Sequence, residues 1–112
     1  MNYKIKSRIW IEVGNNVLLG EGRVRLLKAI EKTGSLSKAA KSLKMSYKKA
    51  WILVDAVNKS AKKPVTQSSI GGKGGGGAKL TSYGKDLVIF FDEINKGCWK
   101  YLDQELEKIH DL

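Results

Sequence analysis

The sequence predicts a mainly α-helical chain with a small β-hairpin and one long helix at the C-terminal end. Three observations predict it. Two amphipathic stretches, each led by a serine, are joined by only a few residues around Lys44-Met45. A run of glycines, Gly71 to Gly77 broken only by Lys73, is flanked by short β-type segments. Apolar residues then advance by 3 and 4 from Leu87 to Ile109, a coiled-coil-like helical stripe with one shift in register. At 112 residues the chain fits a single domain: an N-terminal strand region over 1–20, helices and hairpin over 21–80, and a long helix over 81–112.

In chain order, Ile5, Ser7, Ile9, Ile11 and Val13 alternate with Lys6, Arg8, Trp10 and Glu12, which predicts a half-buried strand. Gly14-Asn15-Asn16 breaks it, and Val17-Leu18-Leu19 is a short apolar continuation before Gly20. From Glu21 to Lys32, Val24, Leu26, Leu27 and Ile30 follow helical spacing, and Gly34 is placed for a left-handed stop. Ser35 can cap a short helix from Leu36 to Leu43, with Leu36, Ala39, Ala40 and Leu43 inward. Ser46 can cap a third helix from Tyr47 to about Ser60, with Ala50, Val54 and Val57 toward a core. Helices joined this closely cross steeply instead of lying side by side, as in a helix-turn-helix. Pro64 follows the third helix, Val65 to Ile70 reads as a strand, and a second short strand lies around Ala78-Lys79-Leu80. Thr81 can cap the final helix, from Ser82 nearly to the end.

Composition narrows the chemistry. A single Cys (Cys98) and a single His (His110) exclude an internal disulfide and a zinc site of three or four nitrogen or sulfur ligands, and leave no base for a catalytic triad. No catalytic residue, metal or cofactor is expected, His110 has no assigned role, and no small-molecule site is evident. The glycine run lacks the Gly-Lys-Ser/Thr ending of a phosphate-binding loop, and its flanks read as two strands. No apolar run approaches the roughly 20 residues of a membrane helix. The polar N-terminus has no signal-peptide core, and a lone cysteine suits a reducing cytoplasm.

The net charge is +10 and unevenly spread. Residues 1–79 hold seventeen Lys and Arg against Glu12, Glu21, Glu31 and Asp55, whereas residues 80–112 hold four Lys against seven acids. A contiguous basic block predicts a polyanion-binding surface. Three helices followed by a β-hairpin is the order of a winged helix-turn-helix, so the polyanion is expected to be double-stranded DNA.

Gly34-Ser35-Leu36-Ser37-Lys38-Ala39-Ala40, Met45-Ser46-Tyr47-Lys48-Lys49-Ala50-Trp51, the glycine run to Ala78, and Leu80-Thr81 with Gly84 together resemble the N-terminal DNA-binding domain of ModE-type molybdate-responsive regulators. That domain is in turn similar to the winged helix of LysR-type regulators. The resemblance covers essentially the whole chain and implies promoter binding as a homodimer. The molybdate-binding region of that family has no counterpart in these 112 residues, so the resemblance does not carry molybdate sensing over.

On this reading the first turn of the third helix enters the major groove. Ser46, Tyr47, Lys48 and Lys49 lie there, with Trp51 and Ile52 one turn on. Lys48 and Lys49 can reach a guanine edge or a phosphate, and Tyr47 a phosphate or a thymine methyl. Trp51 is open to two readings, DNA contact or helix packing. Ser35 and Ser46 are N-caps whose helix ends can also receive a phosphate. Lys38 and the wing residues Lys73 and Lys79 are further candidate DNA contacts. The last helix is too long for a domain of this size, so Leu87, Phe91, Ile94, Cys98 and Leu102 are expected to line a seam with a second copy. The expected function is a homodimeric, sequence-specific transcriptional regulator and not an enzyme. The rival is an architectural, nucleoid-type protein that contacts phosphates without reading bases.

Overall fold

The computed structural model describes residues 2–69 and 77–110; Lys73 and the rest of the 70–76 stretch lie outside them. The elements are β1 (Trp10–Val13), β2 (Asn16–Gly20), α1 (Glu21–Thr33), α2 (Leu36–Ser42), α3 (Tyr47–Ser60), β3 (Thr66–Ser69), β4 (Gly77–Leu80) and α4 (Ser82–His110). The sequence anticipates every helix to within a residue or two. Gly34 takes the left-handed conformation that ends α1 (φ 73°), and Ser35 and Ser46 accept the Lys38 and Lys49 amides at 3.1 Å, capping α2 and α3.

The N-terminal region departs from expectation. The strand predicted over Ile5 to Val13 begins only at Trp10, and it turns at Gly14 (φ 61°) to pair antiparallel with β2. The register shifts between Ile11 and Glu12, where Leu18 has no opposite number, so Leu18 and Leu19 are both buried. Residues 2–9 form no ladder. Their alternation survives nonetheless: Ile5, Ser7 and Ile9 are half-buried while Lys4, Lys6 and Arg8 face out. A helix replaces a strand as their partner. Tyr3 packs edge-on against His110 at 5.8 Å between ring centroids, and Ser7 Oγ lies 3.7 Å from Cys98 Sγ, so the segment runs along α4 in the opposite direction. Period-two burial needs only a flat apolar surface, and a helix face supplies one.

One core serves all four helices. Val24, Leu26, Leu27 and Ile30 of α1 meet Ala39 and Ala40 of α2, Ala50 and Val57 of α3, Val65 and Leu80 at the base of the β3–β4 wing, and Val88 and Phe91 of α4. The small alanines let α2 and α3 approach closely. Lys44 occupies the left-handed region (φ 56°) in the turn between them, reversing the chain direction there without a glycine. Helices α1–α3 with the β3–β4 hairpin are thus a winged helix-turn-helix.

Helix α4 starts in this core and leaves it. Its 29 residues span about 44 Å, and the radius of gyration is 17.0 Å where a compact chain of this length gives about 13 Å. Lys28 of α1 steadies its proximal half through an ion pair with Asp92 at 2.8 Å. Near the far end, the ammonium of Lys108 hydrogen-bonds the Glu105 carboxyl and holds it below the usual carboxylate range.

The root of α4 is the tightest joint in the fold. A Cβ at Gly84 would stand 2.1 Å from the carbonyl oxygen of Val65 and 3.0 Å from its carbonyl carbon, so only glycine lets the helix sit on that backbone. Gly84→Ala is therefore expected to destabilise the domain by about 1–3 kcal/mol, against the usual gain of alanine in a helix. Gly22, on the open side of α1 with nothing near its Cβ position, should show the ordinary sign, with Gly22→Ala gaining up to about 1 kcal/mol. Thermal unfolding of the two variants checks the contrast.

Candidate nucleic-acid interface

The surface that α3, the second helix of the helix-turn-helix, shares with the wing is an open groove of about 610 Å³. Ser35, Leu36 and Ser37 form one wall at the start of α2, and Thr66, Gln67, Ser68, Gly77 and Ala78 form the wing wall. Tyr47, Trp51, Val54, Asp55 and Asn58 of α3 line it, a spacing that keeps all five on neighbouring faces of one helix.

Two sets of hydrogen bonds hold the walls together. The Ala78 amide donates to the Gly34 carbonyl at 3.0 Å, so the wing is tied to the turn before α2. Asn58 Oδ1 accepts the Val65 and Thr66 amides at 2.7 and 3.2 Å, and its Nδ2 donates to Thr66 Oγ1 at 2.9 Å. One side chain near the end of the recognition helix therefore fixes where the wing begins.

Ser46, Tyr47, Lys48 and Lys49 are all exposed on the first turn of α3. Trp51, open to two readings in the sequence, is 51% exposed, stands outside the core cluster and lines the groove. Lys38 faces solvent on α2 and Lys79 on β4, while Ser35 is half-buried between its cap and the groove. Lysines 38, 41, 44, 48 and 49 thus form an exposed field around the helix-turn-helix. Its one acid is Asp55, ion-paired to Lys59 at 2.8 Å. Among the described residues no group of three His, Cys, Asp or Glu side chains is placed to hold a metal, and no helix is long and apolar enough to cross a membrane.

Sequence reasoning passed over Asn58, Asp55, Gln67 and the exposure of Ile52. For Asn58 the available signal was a polar residue inside a helix, which needs a partner, but its partners Val65 and Thr66 lie beyond the helix end, past Pro64.

The expected seam on α4 needs one correction. Phe91 is only 3% exposed and belongs to the domain's own core, beside Val88, so it cannot meet a second copy. Its inward turn follows from α4 docking through Gly84, Val88 and Phe91, which set the buried face at intervals of 4 and 3. Leu87 is partly buried against that core, and Cys98 and Leu102 are half-buried on the side the N-terminal segment follows. Ile94 is exposed, as are Phe90 and Tyr101, which the sequence-based seam did not include.

No family model matches the sequence. The chain is 34% identical over 106 residues to the molybdenum transport protein ModE of Azotobacter vinelandii, covering 95% of this chain and 39% of that protein. It is 40% identical over 86 residues to the transcriptional regulator ModE of Haemophilus influenzae, covering 77% and 34% respectively. With the DNA-binding transcriptional dual regulator ModE of Escherichia coli K12 the identity is 43% over 70 residues, 62% of this chain and 27% of that one. The chain thus spans about a third of the length of the curated relatives it matches. Among solved structures, the crystal structure of the CbnR DNA-binding domain in complex with DNA superposes with a TM-score of 0.60 at 17% identity, over 78% of this chain and 94% of that one. At that identity the likeness is one of fold. Homology along the sequence and the winged helix in space agree: this chain is homologous to ModE regulators over most of its length and is a winged-helix domain of the ModE type.

Proposed function

We propose that residues 1–112 act as one unit, a homodimeric transcriptional regulator in the cytoplasm that binds double-stranded DNA sequence-specifically through α3. The observation that carries this reading is the division of α3 into two faces. Ala50 and Val57 are buried, whereas Tyr47, Lys48, Trp51 and Ile52 stand in solvent beside the wing. A helix that spends large aromatic and aliphatic side chains on its exposed face is shaped for a partner surface. The surrounding lysines make that partner an anion. Lys79 and the wing wall face the flanking backbone, and Lys73 is proposed to extend that contact. The E. coli relative is named a DNA-binding regulator and the CbnR domain was solved on DNA, which supports the same assignment here.

The proposed assembly runs through α4. Phe90, Ile94 and Tyr101 fall within about 40° of one another on the helix, with Leu87 beside them and the exposed Gly97 between. Their spacing of 3 and 4 from Leu87 through Phe90, Ile94, Gly97 and Tyr101 is a coiled-coil seam, with Cys98 and Leu102 at its margin. A two-fold dimer on this seam presents two recognition helices to an inverted repeat, with half-sites one helical turn or a multiple apart.

Selection from a pool of randomised duplexes tests the function: a shared inverted repeat is expected, and recovery of duplexes without a common sequence would establish the architectural alternative. In quantitative binding, Lys48→Ala should cost about 1–3 kcal/mol and relax base preference, because Lys48 lies opposite the buried Ala50 and Val57. Lys49 lies about 100° away on the flank, so Lys49→Ala should weaken all duplexes evenly. With 6–10 phosphate contacts per dimer, raising salt from about 50 to 200 mM should lower affinity by roughly 10³–10⁵. Ile94 is exposed on the single chain, so Ile94→Asp should leave the monomer folded by circular dichroism while light scattering shows half the mass and DNA affinity falls sharply.

A further inference from the structure

The outward ridge of α3 consists of Lys48, Ile52, Asp55 and Lys59, at i, i+4, i+7 and i+11, directly opposite the buried Ala50 and Val57. Three of the four are charged. The fourth is an isoleucine with 51% of its surface in solvent, absent from the core cluster and from the side chains packed against it. Its ridge neighbours account for themselves: Asp55 pairs with Lys59 at 2.8 Å, and Lys48 faces solvent on the first turn. Among the described residues, no core or packing contact accounts for Ile52.

We infer that Ile52 is a base-reading residue, and that what it reads is the C5-methyl group of a thymine in the major groove. The step rests on the DNA-binding reading above. Lys48 lies one turn before Ile52, and the exposed Lys38, Lys41, Lys44 and Lys49 surround that turn, so the surface meeting this ridge is a polyanion. Along the major groove of DNA the base edges offer hydrogen-bond donors and acceptors and a single apolar group, the thymine methyl. A β-branched side chain is stiff at χ1 in a helix, so Ile52 holds its methyl groups in one place and suits a fixed partner. Tyr47 and Trp51 lie on the wing side of the ridge and line the groove, which leaves Ile52 as the apolar group on the ridge itself.

The test uses the full chain and duplexes it selects from a randomised pool. Each thymine of the selected half-site is replaced in turn by uracil, which lacks only the methyl. One position per half-site is expected to weaken binding about four-fold, the effect of one methyl group leaving water. Ile52→Ala should bind the thymine duplex more weakly and be indifferent to uracil at that position, so that the two changes are coupled. Half-sites with no methyl-sensitive thymine, or an Ile52→Ala protein that keeps the wild-type sensitivity, would overturn the inference while leaving sequence-specific binding intact. Ile52→Ala that changes the oligomeric mass would also overturn it, by placing Ile52 in a protein contact. If selection yields no shared sequence, the DNA-reading function fails first and the role of Ile52 fails with it.

Discussion

Three elements meet at the backbone of Val65, and the geometry of the molecule depends on that meeting. The Val65 amide donates to Asn58 Oδ1, which binds the wing to the end of the recognition helix. The Val65 carbonyl accepts the Thr81 amide at 3.0 Å, and the Thr81 hydroxyl in turn receives the Gly84 amide at 2.9 Å, starting α4. Gly84 then rests on the same carbonyl, closer than any side chain permits. Because Val65 is fully buried, each of these groups would be left without water as well as without its partner if the joint opened. Helix α3, the wing and α4 are therefore tied to one another at this single residue.

That joint has a functional consequence. In a dimer built on α4, the separation and tilt of two recognition helices are set wherever α4 is anchored. Here the anchor is one residue from the wing and one hydrogen bond from α3. A flexible root would blur half-site spacing and give up the gain from binding two half-sites at once. In the proposed dimer the glycine at position 84 would matter through distance and angle, although it lies outside the groove between α3 and the wing.

Much of this was legible in the sequence because it is local. Caps at Ser35, Ser46 and Thr81, the stop at Gly34 and the 3.6-residue spacing of α1 and α3 are written within a few residues of where they act. What was not legible is what depends on a partner far along the chain. The alternation over residues 5–9 announced a half-buried extended segment but not that α4 would cover it. The apolar run of α4 offered two adjacent stripes, and periodicity alone could not assign Phe91 to the core and Phe90 to the surface. That choice was made by Gly84 and Val88 docking on Val65 and α1. Asn58 was invisible for a different reason: its partners are only seven and eight residues ahead, but they meet it through the fold-back of the chain at Pro64, which helical periodicity does not encode.

The charge distribution of the interface completes the argument. The lysines that give the domain its basic character spread over α2, the turn, the first turn of α3 and the wing, which suits them to the phosphates on either side of a groove. The outward line of α3 is different. It carries one apolar residue and one acid among its four positions, and the acid is neutralised by Lys59. An acid and an isoleucine add nothing to the attraction for phosphate, and a line of lysines would serve non-specific affinity better. Their presence at the centre of an otherwise basic surface fits the proposed reading of base edges, since hydrogen-bonding and methyl groups differ from base pair to base pair while phosphates do not. On the proposed reading, affinity and selectivity would reside in different residues of the same surface, the first in its periphery and the second along the ridge of one helix.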